Sequence, residues 1–411
     1  MVSSLLDGKT LKQAMEMKKL FILDLEILEG APTTSSELVV PAPIALFYFN
    51  NNNRLMPIAI QLYQQKGPAN PVFLPTDPTY TWMLAKMWFN LADAQYHQSL
   101  SHLTFTHLMM EGIAVSSKRQ LSPSHPVLKL LNPHFLYLMS INYLALGTLV
   151  NPGGYIDQIS NGGIKTLFYL MTKSITSWRL DVQGTLPEDL KSRGVFDNSV
   201  LEGAYHVRDD GMLFYNAIKS YVEEYVKHYY ANEGSLTADY ELQAWGKELV
   251  KSRDEGGVGL LGVPNNGQFE TTDHLIVTLT AVIYTCSVGH AKANFQQYDE
   301  YGAPFSYPYM LMGTPPTSKT AITEDDILKS VGNRVVLLNT MSITAVLSEK
   351  GTQSLGDFEK QWIVDPPAMK IVEKFREQLQ AIGKTIDERN TGRDVSYDYL
   401  HPSAVPNAIS I

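Results

Sequence analysis

The sequence predicts a mainly α-helical protein: one large helical domain with a small β element near its N-terminus. Three observations predict it. Long proline-free stretches with apolar residues at helical spacing dominate beyond residue 60. The clear strand-like runs lie before that point. No repeat or low-complexity tract appears apart from one asparagine run, and no linker-like composition shift divides the chain after about residue 60. The 411 residues, 44% of them hydrophobic, suffice for a large core.

Taken in order, the first thirty residues, "MVSSLLDGKTLKQAMEMKKLFILDLEILEG", mix acids and bases. They contain no uninterrupted apolar stretch leading to a small-residue cleavage site, so no secretion signal is expected. Residues 17–60 are expected to form an N-terminal helix and a small β-hairpin. In that hairpin "FNNNNR" (49–54) is the loop between "IALFYF" and "LMPIAIQL". The helical core is expected over 75–411. It starts with "TYTWMLAKMWFNLADAQYHQSLSHLTFTHLMMEGIAV" and continues in "PHFLYLMSINYLALGTLV" (133–150), which "NPGG" stops. Further helices are expected near 211–231, 238–251, 273–294, 324–347 and 366–382. The stretches near 85–110, 135–150 and 275–290 are apolar on nearly every face, which predicts central helices wrapped by others. The run "HLIVTLTAVIYTCSVGHA" (274–291) approaches membrane-spanning length. Its threonines, and His290, Lys292 and Asn294 at its end, favour a buried core helix.

Charge narrows the function classes. A net charge of −9 argues against a nucleic-acid partner and against strong attachment to anionic lipid. The single cysteine, Cys286, excludes an internal disulfide and suits a reducing, cytoplasmic setting; peripheral contact with membranes stays open. "NPGGY" and "EGGVG" lack phosphate-loop spacing and read as turns. The acidic run "EDD" (324–326) reads as a helix N-terminus, where carboxylates complement the dipole.

The histidines point to chemistry. "HQSLSHLTFTH" places His97, His102 and His107 at intervals of five on a helix expected to be central. On a regular α-helix such residues lie roughly 140° apart and do not converge. Three buried imidazoles each need a polar partner, and a metal is the simplest one to share. A one-residue π-bulge between His102 and His107 would bring those two to one face, with Thr104 and Thr106 capping the loosened carbonyls. His97 is then expected to play a supporting part. In "HAKAN", His290 and Asn294 are i, i+4 on a second core helix. Three imidazoles and an amide without thiolates suit iron or manganese. No HExxH motif accompanies them, which disfavours a zinc hydrolase.

Here the residues resemble a known family. "WMLAKMWFNLADAQYHQSLSHLTFTHLMMEG", "RQLSPSHPVLKLLNPHF", "INYLALGTLVNPGGYI", "HAKANFQQY" and the closing "PNAISI" resemble, in family order, the catalytic domain of lipoxygenases. The resemblance runs from about residue 17 to the last residue and makes 1–411 one such domain. It implies one non-haem iron per chain, with manganese second, held by His102, His107, His290, Asn294 and the main-chain carboxylate of Ile411. It further implies that Gln98 and Gln297 support those ligands. Ala145 falls at a position governing stereochemistry, and Leu144, Ile156 and Leu347 line the pocket. No catalytic side chain is implied beyond these, because hydroxide on the metal takes the hydrogen. Plant enzymes of this type carry an N-terminal β-barrel lipid-binding domain, which is not expected in this sequence. Gly313 stands where an arginine often meets the substrate carboxylate, and Leu103 stands where a tryptophan follows the first ligand.

The activity so implied is dioxygenation of polyunsaturated fatty acids such as linoleate and linolenate. O2 is the co-substrate, a bis-allylic hydrogen is lost, and the products are 9- or 13-hydroperoxides. The alternatives are a non-catalytic lipid-binding helical protein with a vestigial metal site, or a manganese or hydroperoxide-isomerase variant. An upstream catalytic domain in a longer polypeptide is a further partner the resemblance allows.

Overall fold

A computed structural model describes residues 3–411, so residues 1 and 2 of the expected domain lie outside the described residues. The chain opens with a short helix, α1 (Leu11–Glu16), started by a capping box between Thr10 and Gln13. A three-stranded antiparallel sheet follows: β1 (Leu20–Asp24), β2 (Ile44–Phe49) and β3 (Leu55–Gln61), in that spatial order. The expected asparagine loop joins β2 to β3, with the Asn50 side chain accepting from the main-chain N–H groups of Asn52 and Arg54 at 3.0 Å. The expectation for 17–60 is corrected in one respect. "LFILD" pairs with β2 as a third strand, with Leu20 opposite Tyr48 and Asp24 opposite Ile44, where a helix was expected. Among the described residues, 17–60 contains only one short 3₁₀ turn, Glu26–Leu28. Pairing with a neighbouring strand overrides local helix preference here.

The helical core begins with one continuous rod. Helix α2 (Thr79–Tyr96) passes into a π-helix (His97–Leu108), which passes into α3 (Met109–Gln120). Later helices follow: α4 (Leu138–Thr148), α5 (Gly163–Ser174), α6 (His206–Tyr229), α7 (Thr272–Tyr284), α8 (His290–Asn294), α9 (Arg334–Leu347) and α10 (Pro366–Asn390), of which α4, α5 and α8 pack on the π-helix. A second π-helix, Thr285–Gly289, joins α7 to α8. Helix α6 packs against α7 and α10, and its Tyr221 stacks on Phe375 of α10 at 4.5 Å between ring centres. The apolar run read as a core helix is one: 89% of its most hydrophobic window is buried.

Two further expectations change. The helix expected over 324–347 is two, Glu324–Ser330 and α9, separated by an extended Val331. The Asn333 side chain accepts from the N–H groups of Val335 and Val336 and so starts a new helix. The "EDD" run does sit in a first turn, where Thr323 and Asp326 form a capping box. The stretch 135–150, expected to be central, is not. Within α4 only Leu138 and Asn142 are buried, while Tyr143 is 76% exposed and Leu144 58% exposed. One side of α4 lines a cavity, and another, with Met139, Asn142 and Leu146, borders a second one. Its all-round apolar character therefore reflects a cavity wall and an open face instead of a core.

Candidate metal centre

The π-helix answers the spacing of the histidines. Its i→i+5 hydrogen bonding widens each turn and brings residues five apart back toward one face. The expected one-residue bulge is corrected to a twelve-residue π segment. The expected hydroxyl caps are present: Thr104 Oγ1 donates to the Ser99 carbonyl at 2.5 Å, and Thr106 donates to the His102 carbonyl. The second π-helix turns His290 into the same space, and the sequence carried no comparable spacing signal for it.

His102, His107 and His290 converge. His107 Nε2 lies 3.3 Å from His102 Nε2 and 3.1 Å from His290 Nε2. All three rings are buried, and their ligand atoms lie within 4.8 Å of one another. His97 does not join them. Its Nδ1 meets the Tyr301 hydroxyl at 2.5 Å and its Nε2 meets the Ala293 carbonyl at 2.8 Å, so it ties the π-helix to α8 and its neighbours.

Hydrogen bonds behind the rings set their tautomers. His102 Nδ1 donates to Gln98 Oε1 at 3.1 Å, and His107 Nδ1 donates to Asn142 Oδ1 at 2.8 Å. Gln98 donates in turn to Gln297 Oε1 at 2.5 Å, and Gln297 donates to Asn294 Oδ1 at 2.7 Å. Asn294 Oδ1 keeps one lone pair free. Both Nε2 atoms on the first rod are left as bare acceptors facing His290.

The electrostatics agree. Burial holds the His102 and His290 imidazoles well below their ordinary range, and the neighbouring histidines push the same way. Burial lowers His107 to about 4, against the opposing pull of its bond to Asn142. Neutral imidazoles crowded with their lone pairs facing one another repel unless a cation lies between them. Ligand nitrogens about 2.1 Å from one ion stand ~3.0 Å apart at right angles and ~3.4 Å apart at a tetrahedral angle. The observed edges fall between these values, so the three residues fit a shared metal ion.

A partly open cavity of about 220 Å³ lies beside the cluster. Leu144, Ala145, Ile156 and Leu347 all line it, as do Leu103, Gln98 and Gln297. Ile411 lines it too, at the end of a tail that is anchored, not frayed. His134 Nδ1 donates to the Asn407 carbonyl at 2.8 Å, Asn407 N–H donates to Gln353 at 3.0 Å, and Ala408 to Ser410 are buried. Gly313 is exposed and takes no part in the wall. Sequence reasoning missed Asn142 and Glu111, which back His107. A lone amide within the apolar "LMSINYLALGT" was the available signal.

Comparison with known proteins points one way. The lipoxygenase family model matches residues 1–401. The human protein named hydroperoxide isomerase ALOXE3 is 34% identical over all of this chain and 58% of its own length. Mouse polyunsaturated fatty acid lipoxygenase ALOX8 is 34% identical over 98% of this chain and 59% of its own length. The crystal structure of coral 8R-lipoxygenase superposes with a TM-score of 0.94 at 33% identity, covering 100% of this chain and 61% of that one. The chain thus spans about three fifths of the length of the relatives it matches.

Proposed function

Since the chain belongs to the lipoxygenase family, we propose that it is a non-haem metal dioxygenase of polyunsaturated fatty acids. It adds O2 to a 1,4-cis,cis-pentadiene with loss of a bis-allylic hydrogen, and linoleate is the proposed substrate. The observation that supports this most is the set of three buried imidazoles at the wall of a mostly apolar cavity. His102, His107, His290, Asn294 and the Ile411 carboxylate are the proposed ligands, with iron as the ion and manganese as the second choice. A redox-active ion in that position supplies the one-electron exchange that the reaction needs.

The chain's own residues do the rest. The cavity wall excludes water and takes up the acyl chain, each buried CH2 contributing about 0.8 kcal/mol. Leu144, Ile156 and Leu347 hold the pentadiene in register with the cluster, and Ala145 sets how much room O2 has beside one end of it. Gln98 and Gln297 keep His102 and Asn294 aimed. No aspartate or glutamate side chain lines the cavity beside the cluster among the described residues, and no side chain is assigned the part of a general base.

Metal-analysed protein given linoleate and O2 should yield one dominant 9- or 13-hydroperoxide, identified by chiral chromatography. Bound fatty acid without oxygen uptake would instead favour the non-catalytic lipid-binding reading. A second catalytic reading draws support from the relative named hydroperoxide isomerase. It expects rearrangement of added hydroperoxide in place of oxygen consumption with linoleate.

A further inference from the structure

Behind His107 lies a chain of two side chains that ends in a carboxylate. Asn142 Oδ1 accepts from His107 Nδ1 at 2.8 Å, and Asn142 Nδ2 donates to Glu111 Oε2 at 2.6 Å. Asn142 is 6% exposed and Glu111 is half-buried. The two are 31 residues apart and belong to different helices. Both face a second cavity of about 260 Å³ whose other walls are apolar or aromatic, and the side-chain partners recorded for the Asn142 amide are His107 and Glu111.

We propose that Glu111 is a positioning residue for the metal centre: through Asn142 it holds the proton of His107 on Nδ1 and keeps Nε2 bare toward His102 and His290. Donors and acceptors decide the orientation. A carboxylate only accepts, so the amide must turn its NH2 toward Glu111. That leaves Oδ1 facing His107, and Oδ1 also only accepts, so the imidazole must carry its proton on Nδ1. The main-chain carbonyl of His107 asks the same of the amide, but at 3.3 Å it is the weaker partner. Were the amide turned over, it would donate to Nδ1. The proton would then sit on Nε2, pointing into the gap it shares at 3.3 and 3.1 Å with the other two rings.

The support is asymmetric within the cluster. His102 is backed by a neutral amide, Gln98, and among the described residues His290 Nδ1 has no side-chain or main-chain partner. Of the three, His107 alone has a carboxylate behind it, one amide removed. A carboxylate placed behind an imidazole raises its strength as a ligand, and such outer partners are typically worth 10–100-fold in metal affinity.

This inference rests on the metal-centre reading, and the test separates the two. Metal-free wild-type protein, Glu111→Gln and Glu111→Leu are titrated anaerobically with Fe(II), and with Co(II) followed by its visible absorption. Each metal-free protein is also melted. The leucine variant is expected to bind ~10–100-fold more weakly than wild type. The glutamine variant, whose neutral oxygen can still accept from Asn142, should fall between them with its metal-free melting unchanged. The Co(II) spectrum should change in both. If the leucine variant does not fold, the glutamine variant decides alone. Affinity indistinguishable from wild type in the folded variants overturns the role of Glu111 and leaves the metal centre standing. Wild-type protein that takes up neither ion removes the metal centre, and Glu111's role with it.

Discussion

His107 and His290 are 183 residues apart in the chain, yet their Nε2 atoms meet at 3.1 Å in the buried interior. Each is delivered there by a π-helical segment, twelve residues long for the first and five for the second. Neither ring is expected to hold a proton on the facing atom once an ion is bound, because a ligand nitrogen needs its lone pair.

Adding the ion to metal-free protein should raise its stability, by about 2.7 kcal/mol at a free concentration one hundred times Kd. Replacing His290 by Gln should remove most of that gain while leaving the metal-free protein folded. Melting curves against metal concentration measure both effects. A variant stabilised as strongly as wild type would take His290 out of the ligand set.

Gln297 links Gln98 to Asn294 by bonds of 2.5 and 2.7 Å. Changing Gln297 to Leu strands both partners inside the protein. Metal affinity is expected to fall ~10–100-fold, as for other outer-shell partners of metal ligands. Equilibrium titration of the metal-free variant reads the change.

Ala145 borders both the cavity beside the cluster and the second cavity that Glu111 faces. A larger side chain there narrows the wall between them, and glycine opens it. The ratio of hydroperoxide products should shift in opposite directions for Ala145→Gly and Ala145→Val. Chiral chromatography showing the wild-type ratio in both variants would remove Ala145 from control of the outcome.

No lysine or arginine lines the cavity beside the cluster among the described residues. A buried carboxylate without a cationic partner is costly. The acid group of the substrate should therefore stay at the mouth while the methyl end goes in first. Methyl linoleate is expected to be oxidised at a rate comparable with linoleate. A rate that collapses for the ester would show that the carboxylate is bound inside.

Metal-free protein should lose stability on mild acidification. Burial lowers His107 and His134 to about 4, against an ordinary value of 6.5. Between those limits the unfolded chain binds protons that the folded chain refuses, so stability falls as pH drops from 6.5 to about 4. Each group is worth roughly 1.4 kcal/mol per pH unit across that window. Urea midpoints at several pH values measure the slope, and His134→Leu should make it shallower.

Much of this was legible in the sequence. The apolar periodicity of α2 and α7, the loop of asparagines and the capping residues near 323 all report local preferences that the fold retains. The interval of five between His102 and His107 conflicts with a regular helix, and that conflict pointed to a widened turn. Its extent was underestimated, because one misplaced side chain calls for only one extra residue. The exposure of α4 was hidden for another reason: leucines facing a cavity or an open surface look the same in a sequence as leucines facing a core.

By itself, the sequence determined the helical class and singled out the histidines that converge, and through the resemblance in its motifs it raised the expectation of a part for a terminal isoleucine. Tertiary structure alone decided that β1 is a strand, that α4 is open to one side, and that Glu111 reaches His107 through Asn142. The physical reason is range. Backbone hydrogen bonding and side-chain periodicity act within a few residues and leave their mark on the order of amino acids. Contacts between distant segments depend on how those segments pack, and that packing is set by the whole chain at once.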